Sequence, residues 1–191
     1  MRVYKDGDVT LEDSKFLRDG LEVSAESIIG RWPSLSPHQK LEFAHAFSAK
    51  PKITSEDERI LDFLMGLEEP IIWRAIAILL HRHRDKERAL AFVLARIAED
   101  AGRTANFFQA LGLMGDKRAI PALRAAYDDY RKKLGAGADA SADFDYISYL
   151  SCCNALWKLE GSKECRDVLE EFTRSDEKSL RRFAEIKLRS G

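Results

Sequence analysis

Proline, cysteine and net charge are all scarce in this 191-residue chain, and each scarcity excludes something. Five prolines leave long stretches free of helix breakers, so uninterrupted helices are favoured. Three cysteines, two of them adjacent at Cys152 and Cys153, do not make the even, spaced set of a secreted disulfide framework. The net charge is −1, and it runs −1, −2 and +1 over successive fifty-residue blocks and +1 over 151–191. No segment is a basic arm or an acidic tail, which argues against nonspecific nucleic-acid or anionic-membrane binding. The longest strongly apolar stretches, such as Ile71–Leu80, are too short to span a bilayer. Met1 is followed by Arg-Val-Tyr-Lys-Asp-Gly-Asp, without the apolar core of a signal peptide. A reducing cytoplasm is therefore the expected compartment. A domain of this length buries roughly 70% of its unfolded surface, so neither disulfide nor metal is needed to hold it.

What is present is helix grammar. Leu111-Gly-Leu-Met-Gly-Asp-Lys-Arg-Ala-Ile-Pro-Ala-Leu123 reads as a helix end, a glycine turn, a cap and a second helix with proline in its first turns. Ala110, Leu111 and Met114 lie at the spacing of a buried face, continued by Ile120, Leu123, Tyr127 and Tyr130. Gly115 suits a left-handed C-cap, and Asp116 can cap the following amides. Earlier, Ser36-Pro-His-Gln39 offers a capping box ahead of Leu41, Ala44 and Phe47. Thr54 opens a helix with Ile60, Leu61, Leu64 and Met65 on one stripe, Pro70 opens another running through Leu80, and Asp85 caps one carrying Leu90, Val93, Leu94 and Ile97. Further on, helices are expected over Tyr146–Glu160, over Glu164–Thr173 after a Gly161-Ser162 turn, and from Ser175 or Asp176 through Leu188.

These pairs superpose as a degenerate repeat. Leu80-His-Arg-His-Arg-Asp85 aligns with Leu111-Gly-Leu-Met-Gly-Asp116 at an offset of 31 residues, and Leu156-Trp-Lys-Leu-Glu-Gly161 aligns with the same hexapeptide at 45. Ala184-Glu-Ile-Lys-Leu188 resembles Ala155-Leu-Trp-Lys-Leu159 at an offset of 29. A period near 30 with two helices per unit is solenoid arithmetic. The long offset reflects an insertion at 134–143, small, polar and glycine-bearing, which lacks the aromatic anchors of a binding loop. Residues 1–35 are less regular. A hairpin over Val3–Thr10 and short helices over Leu11–Leu21 and Ala25–Trp32 would form a cap on the open end of the stack.

Over residues 106–130, Ala110-Leu-Gly-x-x-Gly-Asp116 followed by Ala119-Ile-Pro-x-Leu123 resembles a bacterial HEAT-like repeat of the type first noted in phycobilisome-lyase proteins. The resemblance is partial over 75–97 and 155–172. It implies an all-α, right-handed α-solenoid of about four to five helical pairs over 36–191, used as a scaffold or binding surface. The family name also implies an alternative, a lyase or chaperone-like enzyme acting on a protein-bound chromophore. A related architecture, that of the DNA-alkylation-repeat glycosylases, implies DNA-lesion binding, but its site residues do not map onto this chain.

Constellations for chemistry are weak. His81 and His83 are two apart, about 200° around a helix, and His38 and His45 are seven apart, so neither pair shares a metal; the basic run 81–84 reads as a solvated helix end. Cys165 falls where Ile120 falls in the preceding repeat, which makes it a core residue. Trp73 and Trp157 lie beside apolar stripes and read as core, and Gly112 reads as a helix-packing glycine. No catalytic residue, metal or cofactor is assigned. The exposed side of each second helix is the expected working surface: Arg124, Asp128 and Arg131, extended by Arg96 and Glu99 before and by Glu170 and Arg174 after. Mixed charge of this kind suits another protein, as for an adaptor or an inhibitor or immunity-type binder.

Overall fold

The computed structural model describes residues 24–99, 104–135 and 144–190. The expected hairpin at Val3–Thr10 and helix at Leu11–Leu21, and nearly all of the insertion at 134–143, lie outside them. The fold is all-α: the described residues form ten α-helices and three short 3₁₀ segments, with no strand. The chain divides into two compact units, 1–76 and 77–191.

The first unit contains α1 (Ala25–Arg31), α2 (Pro37–Ser48), α3 (Ser55–Met65) and α4 (Pro70–Ile76), with a 3₁₀ turn at Trp32–Ser34. Its helices begin where local chemistry satisfies their free amides. Ser36 with Gln39 and Thr54 with Asp57 form reciprocal capping boxes. The first amide of α1, on Ala25, donates to Glu56 Oε2 at 2.9 Å, so the first turn of α3 closes the end of α1. The core is aromatic. Trp32 meets Phe43 and Phe63 edge-on with centroids 5.9 and 5.8 Å away, and Phe43 stacks on Phe47. Glu69 accepts from Trp32 Nε1 at 3.4 Å and from Lys40 Nζ at 2.9 Å, which ties the indole to the loop before α4. Trp73 is core, as its stripe predicts.

The second unit begins with a 3₁₀ segment, Ala77–Arg82, followed by α5 (Lys86–Ala98), α6 (Ala105–Met114), a 3₁₀ turn at Lys117–Ala119, α7 (Ile120–Gly135), α8 (Tyr146–Glu160), α9 (Lys163–Phe172) and α10 (Lys178–Arg189). Gly115 and Gly161 take φ of 72° and 71°, the left-handed C-caps that end α6 and α8. Side chains of Asp85, Asp116 and Ser162 cap the starts of α5, the Lys117–Ala119 turn and α9. The α10 helix is capped at Glu177, not at Ser175 or Asp176, and Glu177 N donates to Ser175 Oγ at 3.2 Å.

One stretch departs from expectation. The helix opened by Pro70 keeps its α winding only to Ile76 and then tightens, as helix C-termini often do. In 3₁₀ winding, side chains three apart eclipse. Just past this segment, His83 N donates to Leu80 O at 3.2 Å, and the imidazole is buried. His83 is therefore 1% exposed, its Nδ1 accepting from Asp85 N at 3.1 Å, where a solvated helix end was expected.

The α8 helix is the axis of this unit. Ten of its fifteen residues are buried, including every one from Ser148 to Leu156, because α6, α7, α9 and α10 all pack on it. A helix wrapped on all sides needs small residues for close approach, and Ser148, Ser151, Cys152, Cys153 and Ala155 supply them. Gly112 is the matching feature on α6: a Cβ there would lie 3.3 Å from Ala155 Cα. Phe107, Phe108 and Leu111 on α6 are almost wholly buried, each contributing about 1.5–3 kcal/mol of burial. Several contacts join residues about 30 apart in sequence. Arg118 forks onto Glu87, 31 residues earlier, at 2.7 and 2.8 Å. Cys152 Sγ donates to Leu123 O, 29 residues away, and Asn154 Nδ2 to Lys187 O, 33 residues away.

Candidate functional site

The expected working surface falls in the second unit. Within it, α7 and α9 are joined by charge. Arg124 reaches across to Glu160, the last residue of α8, and to Glu164 in the first turn of α9. Arg131, two turns along α7, meets Glu164 at 3.2 Å and donates to Tyr127 Oη at 3.3 Å. The two arginines straddle Glu164 and pull the turn at Gly161-Ser162 onto α7; Arg124 Nη2 also donates to Ser162 Oγ at 3.5 Å.

Beneath this lies an aromatic floor. Tyr127 stacks on Tyr149 with centroids 5.9 Å apart, and Tyr130 and Phe144 close around Tyr149. Burial pushes both the Tyr127 and the Tyr149 phenols well above their usual range, so they stay neutral. Burial likewise raises the Cys153 thiol, which abuts Cys165 between α8 and α9. Cys152 and Cys153 point apart, one to α7 and the other to α9, and both are buried, as is Cys165.

Between the far half of α7 and α9 runs an open furrow. A cleft of ≈ 440 Å³ is floored by Leu134, Tyr146, Tyr149, Val168 and Phe172. A neighbouring cleft of ≈ 460 Å³ shares Arg131, Val168 and Glu171 with it and adds Lys163, Glu164 and Asp167. The furrow thus has an apolar and aromatic base and a rim of both signs.

Of the seven expected residues, the structure brings Arg124 and Arg131 together through Glu164. Asp128 is exposed on the same helix and makes no ion pair among the described residues. Arg96 and Glu99 pair with each other at 2.7 Å on α5, and Glu170 pairs with Arg166 at 2.8 Å on α9. Arg174 lines a shallow cleft with Phe172 and Asp176, next to the furrow. Sequence reasoning missed Glu160, Glu164, Tyr149 and Val168. The charge match of Arg131 with Glu164, 33 residues on, was the available signal, because that spacing is near the period of about 30 expected from the sequence. Trp157, expected in the core, is half-buried, with the Arg166 guanidinium 5.7 Å from its ring.

Among the described residues no group of three or more His, Cys, Asp or Glu is placed to hold a metal ion, and no helix is long and apolar enough to cross a membrane. No family model matches the chain, and neither the curated proteins nor the solved structures contain a match to it.

Proposed function

We propose that this chain is a cytoplasmic, non-catalytic protein-binding scaffold: a stack of HEAT-like helical hairpins that binds a partner protein along its second helices, as an adaptor or as an inhibitor or immunity-type binder. The observation that carries the reading is the α7–α9 furrow. Its Tyr146, Tyr149 and Phe172 base with an Arg131 and Glu171 rim has the composition of a protein-recognition centre, where aromatic side chains and arginine dominate binding energy. Contacts near one repeat length, at 29, 31 and 33 residues, support stacked hairpins as the architecture. Cys152, Cys153 and Cys165 are buried and form no disulfide among the described residues, which accords with a reducing compartment.

The test is co-purification of the tagged protein from its own host, with mass spectrometry of what remains bound, beside a Val168→Asp variant. Val168 borders both clefts and is only half-buried, so a carboxylate there spoils the apolar base while the helix persists. One stoichiometric protein, retained by the wild type and lost by a folded variant, is the expected result. A preparation without any stoichiometric protein would refute the reading.

A further inference from the structure

A recurring arrangement in the second unit points to the charge of what the furrow takes. Arg96 lies over the Phe92 ring at 5.2 Å and meets Glu99. Lys133 lies over Tyr130 at 5.9 Å and meets Asp129, and Arg166 lies over Trp157 at 5.7 Å and meets Glu170. Arg131, over Tyr127 at 5.9 Å and against Glu164, repeats the arrangement on the rim of the furrow itself. In each case one cation satisfies both the negative face of a ring and a carboxylate.

The middle of the furrow holds the ring and the carboxylate without the cation. Phe172 and Tyr146 stand with centroids 5.6 Å apart, and both border the ≈ 440 Å³ cleft together with Glu171. Phe172 is half-buried and Glu171 is exposed, so both are open to an incoming group. Among the described residues no cation lies over Phe172 and none meets Glu171. Arg131 borders the same cleft but is taken by Glu164, and Arg174 borders the shallow cleft beside Phe172 without pairing with Glu171. Asp167, one turn before Glu171, borders the ≈ 460 Å³ cleft with it and also meets no cation. Like charges at that spacing repel, and a cation brought between them relieves the repulsion.

Glu171 borders all three clefts, which follow one another along α9 from Lys163 to Arg174. A lone small cation would fill one of them and leave the apolar base at Leu134 and Val168 in water. An acidic segment would set its carboxylates against Glu171 and Asp167. We propose that the furrow takes a basic segment of the partner protein, with an arginine or lysine laid over Phe172 and Tyr146 against Glu171 and its apolar neighbours on Leu134 and Val168. The inference rests on the furrow being the protein-binding site and adds the chemistry of its occupant. Charge complementarity selects the segment, and apolar cover supplies affinity.

The test is panning of phage-displayed 12-residue peptide libraries on the full chain, followed by fluorescence anisotropy with the selected synthetic peptides. Sequences carrying Arg or Lys beside Leu, Ile or an aromatic residue are expected. Their affinity should fall by about tenfold or more for Glu171→Gln, and likewise for Val168→Asn, which spoils the apolar base without adding charge. Glu171 is exposed, so Glu171→Gln should melt with the wild type, and lost binding cannot be ascribed to misfolding. Acidic or uncharged peptides lost with Val168→Asn would overturn the basic segment and leave the furrow a protein-binding site. Basic peptides indifferent to both substitutions would overturn the inference and the furrow with it, as would a library that yields no binder. Binding that persists when every apolar residue of the peptide is changed to Ala would make this a lone-cation site and overturn the docked segment.

Discussion

The two flanks of α8 use charge in opposite ways. Toward α7 and α9, Arg124, Arg131, Glu160 and Glu164 cancel one another across three helices, and the two arginines tie α9 to α7. Toward α6 and α10, Lys158 and Lys187 are half-buried and neither meets a carboxylate among the described residues; burial, then the charge of Lys158, lowers the Lys187 pKa. The contrast is between cations paired within the chain and cations with no carboxylate beside them among the described residues. Exposure alone does not tell whether a charge is paired: the Arg131 side chain is 52% exposed and meets Glu164 at 3.2 Å. What the α7–α9 flank leaves open is the apolar base of its furrow.

The largest effect expected lies between the flanks, in α8 itself. Leu156→Ala should cost about 2–5 kcal/mol in urea denaturation, since the side chain is wholly buried, whereas Leu113→Ala, at an exposed position of α6, should stay within about 0.5 kcal/mol. Equal losses would mean that Leu113 is part of the core. Next comes the hairpin turn that Arg124 holds. Gly161→Ala should cost about 1–2 kcal/mol from backbone conformation alone, as φ is 71° and no atom lies within 4 Å of the added Cβ. Gly135→Ala, in open space without a positive φ, should cost nothing measurable in the same assay. Arg124→Ala should cost less than about 1 kcal/mol and less still at high salt, because its side chain is 39% exposed and the pairing is screened.

The smallest effect is on the exposed turn between α6 and α7. Hydrogen bonds from the Arg118 side chain, then from its backbone, hold Asp116 at about 2, against 3.8 unperturbed. The folded value is the lower one, so the stabilisation is complete above about 3.8 and disappears as pH falls through about 2. The difference in urea midpoint between wild type and Asp116→Asn should be present at pH 5 and largely lost at pH 2; a pH-independent difference would show that Asp116 does not act through its charge.

Much of the fold was legible because its signals are local. Gly115, Gly161, Ser36, Thr54, Asp85 and Asp116 punctuate helices through chemistry confined to three or four residues, and each sits at the helix end its type implies. Apolar spacing marked Leu111, Leu123 and Tyr127 as core, and alignment with Ile120 placed Cys165 there too. Winding was less legible. The change from α to 3₁₀ after Ile76 has no residue of its own to announce it, so His83 read as exposed when it is buried.

The candidate site was legible only in part, for a related reason. Periodicity located the polar side of α7 but not what faces it, because Glu160 and Glu164 stand 36 and 40 residues beyond Arg124. The Lys158 and Lys187 pairing depends on how closely Gly112 lets α6 approach α8 and on where α10 crosses. Those are properties of packing, not of spacing along one helix.

Paired charge reversals test the contrast between the flanks without needing a partner. Thermal unfolding of Arg124→Glu and Lys158→Glu should shift in opposite directions, by about 2–4 °C for each kcal/mol gained or lost in a chain of this size. Arg124→Glu, set against Glu160 and Glu164, should melt below the wild type, and Lys158→Glu, set against Lys187, above it. Shifts of the same sign would contradict the account, because charge would then play one role on both sides of α8.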